Sequence, residues 1–394
     1  MQIHPVKDVK DLKNKRALVR VDYNLPIING GLDFKDDLRI RASLETIKFL
    51  LNEGATVILM AHLGRPEGWD EKLTLAPVAK YLAKLLRKRV NFIADDITKK
   101  DISKKIAKGV NMLENVRFYE AESAGDSSFA KRLAGLGDIY VNEGFSVSHR
   151  ADASVAGLQN FLPSYAGIFL EREIENLSRC LRVGWRSRPY VALMGGAKIS
   201  TKINLILNLL KSADNVLLGG ALISGLLKFQ GYKIGKTLTE EIAPMVAKGI
   251  LRNKKVVMPK DVVVGQADNA KNLKTVRLAD TKELCKKDES ILDMGPETVL
   301  EFSKYIKKAR TIVWNGPLGL FERPPLAYAT IALAQLIATR SKGRAFAAVG
   351  GGETIVALKL TQMEEYVDWV STGGGAMLSF LAGEKMPGLR KIIS

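Results

Sequence analysis

Two lysines, Lys198 and Lys202, follow a double glycine at the end of the apolar run "VALMGGAKISTKI" (191–203). Glycine lets a backbone come close to a phosphate, and a helix N-terminus offers that phosphate unpaired N–H groups. At spacing i, i+4 the two ammonium groups are expected on one face of a first helical turn, both pointing back at an anion above the glycines. Three more stretches join apolar strands to glycine: "NGPLG" (315–319), "VGGGET" (349–354) and "STGGGA" (371–376). One such turn reads equally as a tight strand-to-helix connection. Four in one half of the chain point to a nucleotide site.

The other half carries cations of a different kind. "RVDYNLP" (20–26), "DDLRIRAS" (36–43), "AHLGRP" (61–66), "LENVRFYEAE" (113–122) and "YVNEGFSVSHRADAS" (140–154) place Asp22, Asn24, Arg39, His62, Arg65, Arg117 and Arg150 near strand ends or loops. Guanidinium forks bind carboxylate and phosphate bidentately, so four arginines and a histidine suit a small polyanion. Taken singly, each arginine reads as a surface ion pair, and Asp22 and Asn24 as turn residues after a strand.

Other signals fall away. "QGYKIGKT" (230–237) resembles a Walker A loop, but Gln230 stands where that motif needs glycine. Gly350 and Gly352 are followed by Ile355 at the last position of G-x-G-x-x-G, so a dinucleotide fingerprint is missing. Cys180 and Cys285 lie far apart, read as isolated thiols, and form no zinc set with His4, His62 and His149. The net charge of +18 suggests anionic partners. The basic residues are scattered, however, and the aromatic residues, 7% of the chain, do not interleave with them, so no specific nucleic acid is expected.

The elements that must position these residues are legible as a pattern. The length of 394 residues suggests two domains, and 46% hydrophobic residues at a mean hydropathy near zero is globular composition. No apolar run is long enough to span a membrane and the N-terminus has no apolar leader core, so a cytoplasmic protein is expected. "RALVRVDYN", "ATVILMAHLG", "DIYVNEGF", "YVALMGGAK", "NVLLGGALI", "TIVWNGPLG" and "FAAVGGGET" are continuous apolar runs ending in polar or glycine residues. Such strands are buried on both faces, as in a helix-covered parallel sheet, where ligands gather at the carboxyl ends. Between the third and fourth runs, Ile168, Leu170, Ile174, Leu177 and Leu181 have helical spacing, predicting a long helix between two α/β halves.

Together these stretches resemble phosphoglycerate kinase, in order and over essentially the whole chain. The resemblance implies two doubly wound parallel-sheet domains facing across a cleft: residues 1–170, completed by the apolar tail 383–394, for 3-phosphoglycerate, and 189–382 for the nucleotide, with 171–188 as linker helix and hinge. It assigns Asp22, Asn24, Arg39, His62, Arg65, Arg117 and Arg150 to the acid, with Arg39 catalytic. It assigns Lys198 to the transferring phosphoryl group, Lys202 to nucleotide phosphates, Glu322 to a ribose hydroxyl, and Asn315, Gly351, Gly352, Glu353 and Thr354 to the nucleotide. Gly352 and Gly373 lie near the transfer point. The implied reaction is reversible Mg2+-dependent transfer between 1,3-bisphosphoglycerate and ADP, giving 3-phosphoglycerate and ATP, by a monomer.

That reaction suits the inventory. Its nucleophile is a carboxylate, ionised at neutral pH, so no general base is needed. A loose anionic transition state needs positioning and charge, which Arg39, Lys198 and glycine amides supply. Some positions depart from the family pattern. Glu353 replaces an aspartate near the nucleotide-bound magnesium. "NEGFS" stands for "NDAFG", Asp152 replaces a histidine after "HRA", "AHLGRP" replaces "SHLGRP", and "SLET" lacks a proline. Two other readings remain at this stage: a silent phosphate-binding relative, and a basic nucleic-acid-binding protein on an α/β scaffold.

Overall fold

All seven apolar runs form parallel strands. The computed structural model describes residues 2–28, 31–34, 37–181, 184–268 and 270–394. The chain divides into two compact units, Met1–Glu175 with Lys385–Ser394, and Asn176–Glu384.

The first unit is built on β1 (Arg16–Arg20), β2 (Thr56–Met60), β3 (Val90–Ile93), β4 (Val110–Leu113), β5 (Ile139–Asn142) and β6 (Ser164–Ala166). They form one parallel sheet in the order β3-β4-β2-β1-β5-β6. Ala17, Val19, Val57 and Leu59 are fully buried in a core shared with Ile40, Ile47 and Leu50 of the helix Leu38–Asn52. Burying apolar surface on both faces of a strand is what a continuous apolar run allows. The C-terminal tail packs into this unit. Leu389 and Ile392 have no exposed surface, Gly388 N donates to Ser148 O, and Ser394 pairs with Gln2.

The second unit is built on β7 (Tyr190–Met194), β8 (Asn215–Leu218), β9 (Val256–Val257), β10 (Thr311–Asn315), β11 (Phe346–Gly350) and β12 (Trp369–Ser371), parallel in the order β9-β8-β7-β10-β11-β12. Strand order reverses beside β7, the crevice where doubly wound sheets bind ligands. A three-stranded antiparallel sheet (Asp261–Gln266, Lys271–Arg277, Ser290–Met294) adds to this unit. Its edge strand "KNLKTVR" is polar and exposed, so no apolar run announces it.

The predicted helix forms over Ile168–Leu181 and buries Ile168, Leu170, Ile174, Leu177 and Cys180. The unit boundary falls within it, between Glu175 and Asn176. Residues 182 and 183 of the expected linker lie outside the described residues.

Candidate functional sites

In the first unit the expected acid-binding residues leave the carboxyl ends of four neighbouring strands. Asp22 and Asn24 follow β1, His62 and Arg65 follow β2, Arg117 follows β4, and Arg150 follows β5. Arg39 lies in the first turn of the helix Leu38–Asn52. Its Nη1 donates to Asn24 O at 2.9 Å and lies 3.2 Å from Asp22 Oδ2, while Ser146 Oγ donates to the same Asp22 oxygen at 2.5 Å. Asn24 Oδ1 accepts from Gly64 N and Arg117 Nη1 donates to Gly64 O, both at 2.9 Å, so the turn before Arg65 is gripped from two sides. Arg65 itself is exposed.

Arg117 is 8% exposed, and its Nε and Nη2 have no hydrogen-bond partner among the described residues. Arg150 Nε is likewise buried and unbonded. Buried donors without acceptors are costly, and these guanidiniums keep donors that an anion is able to satisfy. Asp152 Oδ2, also buried and unbonded, stands 3.9 Å from Arg117 Nη2. His62 is 3% exposed; burial first, then Arg20, Arg117, Arg150 and Arg39, hold its imidazole well below the ordinary value. It is therefore a neutral ring at physiological pH.

Sequence reasoning overlooks Arg20. Its signal is a charge directly after the apolar run Ala17–Val19, in a strand whose last four residues the fold buries. It has no exposed surface and bonds Ser154, Val21 O and His62.

The second unit corrects the expected placement of the two lysines. The helix begins at Ile203, not at the glycines, so residues 195–202 form a loop and Lys198 and Lys202 do not share a helical face. Thr201 Oγ1 and Lys202 N, bonding Lys198 O and Ile199 O, fold that loop before the helix can start. Lys198 is exposed. Lys202 is 8% exposed and its Nζ donates to Gly195 O at 2.5 Å. Burial pushes its ammonium down to about 8, against the opposing pull of Glu353. The ammonium lies between Gly196 (φ +99°) and Gly316 (φ +94°), where an added Cβ would stand 2.7 and 2.5 Å from Nζ. The positive φ favours glycine at both positions, and at Gly316 the Gly195 carbonyl, 2.2 Å from an added Cβ, requires it.

The strand-end loops are tied together here. Gly195 N donates to Asn315 O and Gly196 N to Pro317 O. Asn315 Nδ2 donates to Gly350 O at 2.6 Å, and Thr354 Oγ1 accepts from Gly316 N at 2.7 Å. Beside them opens a cavity of about 310 Å³ lined by Gly196, Gly220, Leu238, Pro317, Glu322 and Glu353. Its size and mixed apolar and polar walls suit a small organic ligand. Gly351 (φ +103°) caps the helix Gly352–Leu360, and open space stands where a side chain at Gly352 would lie. Gly373 differs: it is buried, and its N–H already donates to Ser371 Oγ at 3.1 Å.

A divalent cation held by protein alone needs a cluster of carboxylate, imidazole or thiolate donors. Among the described residues no group of three or more His, Cys, Asp or Glu could hold one. A magnesium ion carried on nucleotide phosphates asks for one or two protein carboxylates. Glu353, exposed on the cavity wall, meets that smaller demand.

Among proteins of known family, the phosphoglycerate kinase model matches residues 6–384. The chain belongs to the phosphoglycerate kinase family. The phosphoglycerate kinase of Dictyoglomus turgidum is 42% identical over 390 residues, covering 96% of each chain. That of Coprothermobacter proteolyticus is 40% identical over 403 residues, covering 100% of this chain and 99% of its own. The solved phosphoglycerate kinase of Coxiella burnetii superposes with a TM-score of 0.85 at 37% identity, covering 99% of each chain. The chain is thus a kinase, a phosphotransferase with a carboxyl acceptor, on the two-sheet α/β fold of its family. Among the described residues no helix is long and apolar enough to cross a membrane.

Proposed function

We infer that the chain catalyses reversible phosphoryl transfer between 1,3-bisphosphoglycerate and ADP, giving 3-phosphoglycerate and ATP. The observation that carries this is the unsatisfied guanidinium surface around Arg117 and Arg150, in a chain whose other unit holds a glycine-lined cavity whose Gly196 wall lies against the buried Lys202 ammonium. One site asks for a compact polyanion and the other for a larger ligand with phosphates.

In this reading Asp22, Asn24, His62, Arg65, Arg117 and Arg150 hold the acid. Arg39, steadied by Asp22 and Asn24, presents its remaining guanidinium nitrogens to the acyl phosphate. Lys202 binds nucleotide phosphates from beneath the glycines, Glu322 and the cavity wall take the nucleoside, and exposed Lys198 follows the transferring group. Asn315 and Thr354 hold the loops around Gly351 and Gly352 in register. The acceptor carboxylate is already ionised, so no residue removes a proton, and charge placement does the catalysis. Magnesium carried on the nucleotide would neutralise phosphate charge, and Glu353 is the carboxylate that would help hold it. Gly352, the first residue of its helix, offers an amide to the transferring oxygens; the Gly373 amide must first exchange its bond to Ser371.

The test is turnover of purified protein with ATP, magnesium and 3-phosphoglycerate, coupled to a dehydrogenase that consumes NADH. Turnover lost in Lys198→Ala, with nucleotide binding retained, is the expected result. No turnover by folded, nucleotide-binding wild type would overturn the assignment in favour of a binding-only relative. Sedimentation at the chain mass of 43.3 kDa is expected of a monomer.

A further inference from the structure

The protonation pattern of His62 follows from its neighbours. Arg20 Nη2 lies 3.1 Å from His62 Nδ1. Arginine has donors only, so this hydrogen bond exists only where Nδ1 is an acceptor. In the neutral ring the proton is then on Nε2. Arg20 is fixed from behind: Nε donates to Ser154 Oγ at 2.8 Å and Nη1 to Val21 O at 2.5 Å. Ser154 Oγ, having accepted from Arg20, gives its own proton to Glu122 Oε1 at 2.5 Å, and Ser154 N donates to Glu122 Oε2 at 2.8 Å. Arg20, Ser154 and Glu122 have no exposed surface. A buried guanidinium needs a nearby anion and hydrogen-bond partners, and this arrangement supplies Glu122 and one partner for each guanidinium nitrogen.

We propose that Arg20, held by Ser154 and Glu122, is a positioning residue that locks His62 in the neutral Nε2–H tautomer, so that His62 meets the bound acid as a hydrogen-bond donor and not as a charge. Four guanidiniums, those of Arg20, Arg117, Arg150 and Arg39, act on this ring, and each disfavours a fifth positive charge. Donation from a neutral ring gives the acid site direction without adding to that repulsion. The donor role rests on the assignment of His62 to the acid site; the tautomer does not.

The experiment is long-range proton–nitrogen NMR of the full chain labelled at its histidine rings, with His62→Gln identifying the signal of that ring. The expected wild-type pattern is a neutral Nε2–H ring at about pH 7, with any imidazolium appearing only below the ordinary histidine range. An Nδ1–H ring or an imidazolium at neutral pH would overturn the proposal. In Arg20→Met the ring should lose its single tautomer and its pKa should rise, while burial, Arg117, Arg150 and Arg39 still hold it below the ordinary value. A tautomer unchanged in that variant would refute the lock. Should Arg20→Met fail to fold, Ser154→Ala replaces it, since it frees Arg20 Nε and lets the guanidinium turn from the ring; the same two outcomes decide. Added 3-phosphoglycerate should then move the Nε2 signal of the wild type, and no movement at saturation would remove the donor role. The turnover assay reports separately on the reaction itself.

Discussion

Nucleotide binding should draw a proton onto Lys202. Its ammonium is 8% exposed, and burial lowers it from 10.5 to about 8. A shift of that size corresponds to about 3 kcal/mol of disfavour for the charged form. Phosphate oxygens placed against the Gly196 and Gly316 backbones would stand beside this group and restore its charge. If the ordinary value returns in the complex, the bound state holds more protons than the free state between about pH 8 and 10.5. Affinity then falls by up to tenfold per pH unit through that window, and about half a proton is taken up per nucleotide at pH 8. The phosphate's own second ionisation, near pH 6, is complete there. Calorimetric titration of Mg·ADP in two buffers of unequal ionisation enthalpy reads the uptake directly. About half a proton at pH 8 is expected, with the Lys202 share almost gone at about pH 6.5. Lys202→Arg should abolish the uptake while keeping the charge, because a guanidinium does not titrate in this range. Uptake below about a tenth of a proton at pH 8, with binding intact, would refute the link between burial of Lys202 and phosphate recognition. The free protein gives a matching sign. The folded state binds fewer protons than the unfolded state over the same window, so this group makes stability rise with pH there, and Lys202→Met should remove the rise.

Glu143 accepts bonds from Thr46 Oγ1, Phe169 N and Leu170 N at the start of the helix Ile168–Leu181, yet burial raises its carboxyl to about 7. The native state therefore binds more protons than the unfolded one between about pH 4.5 and 7, and stability from this group is lost as pH rises through that window. Denaturant midpoints of Glu143→Gln should vary less over that range than those of the wild type; equal slopes would contradict this. Asp152→Asn removes the carboxylate 3.9 Å from Arg117, an internal competitor for the acid. The KM for 3-phosphoglycerate should fall by about tenfold, a modest share of the ~4 kcal/mol such a pair can reach near a surface; a raised KM would show that Asp152 instead holds Arg117 in place. Glu353→Asp should shift the magnesium dependence of turnover while transfer persists, and coincident metal titrations would remove Glu353 from that role.

Much of the site was legible because it sits where strands end. A continuous apolar run followed by Asp, His, Arg or glycine declares both a buried parallel strand and its ligand-facing end, as in "ATVILMAHLG" and "TIVWNGPLG". The two lysines were legible as partners of the glycines but not as different from each other. Their i, i+4 spacing describes a helix, while the loop's own bonds, from Thr201 to Lys198 O and from Lys202 N to Ile199 O, delay that helix to Ile203. One lysine is left in solvent and the other is drawn under the backbone.

What the sequence by itself determined is local or periodic: the apolar strands, the helix over Ile168–Leu181, glycines at turns with positive φ such as Gly196 and Gly316, and the family to which the ordered motifs belong. The tertiary structure alone decided the electrostatics. Arg20 and Ser154 are 134 positions apart in the chain, and His62 and Arg117 come from different strand ends. Desolvation and charge–charge terms depend on distance through a low-dielectric interior, not on separation along the chain. Only folding makes His62 neutral, Lys202 reluctant to hold its proton and Arg117 short of acceptors.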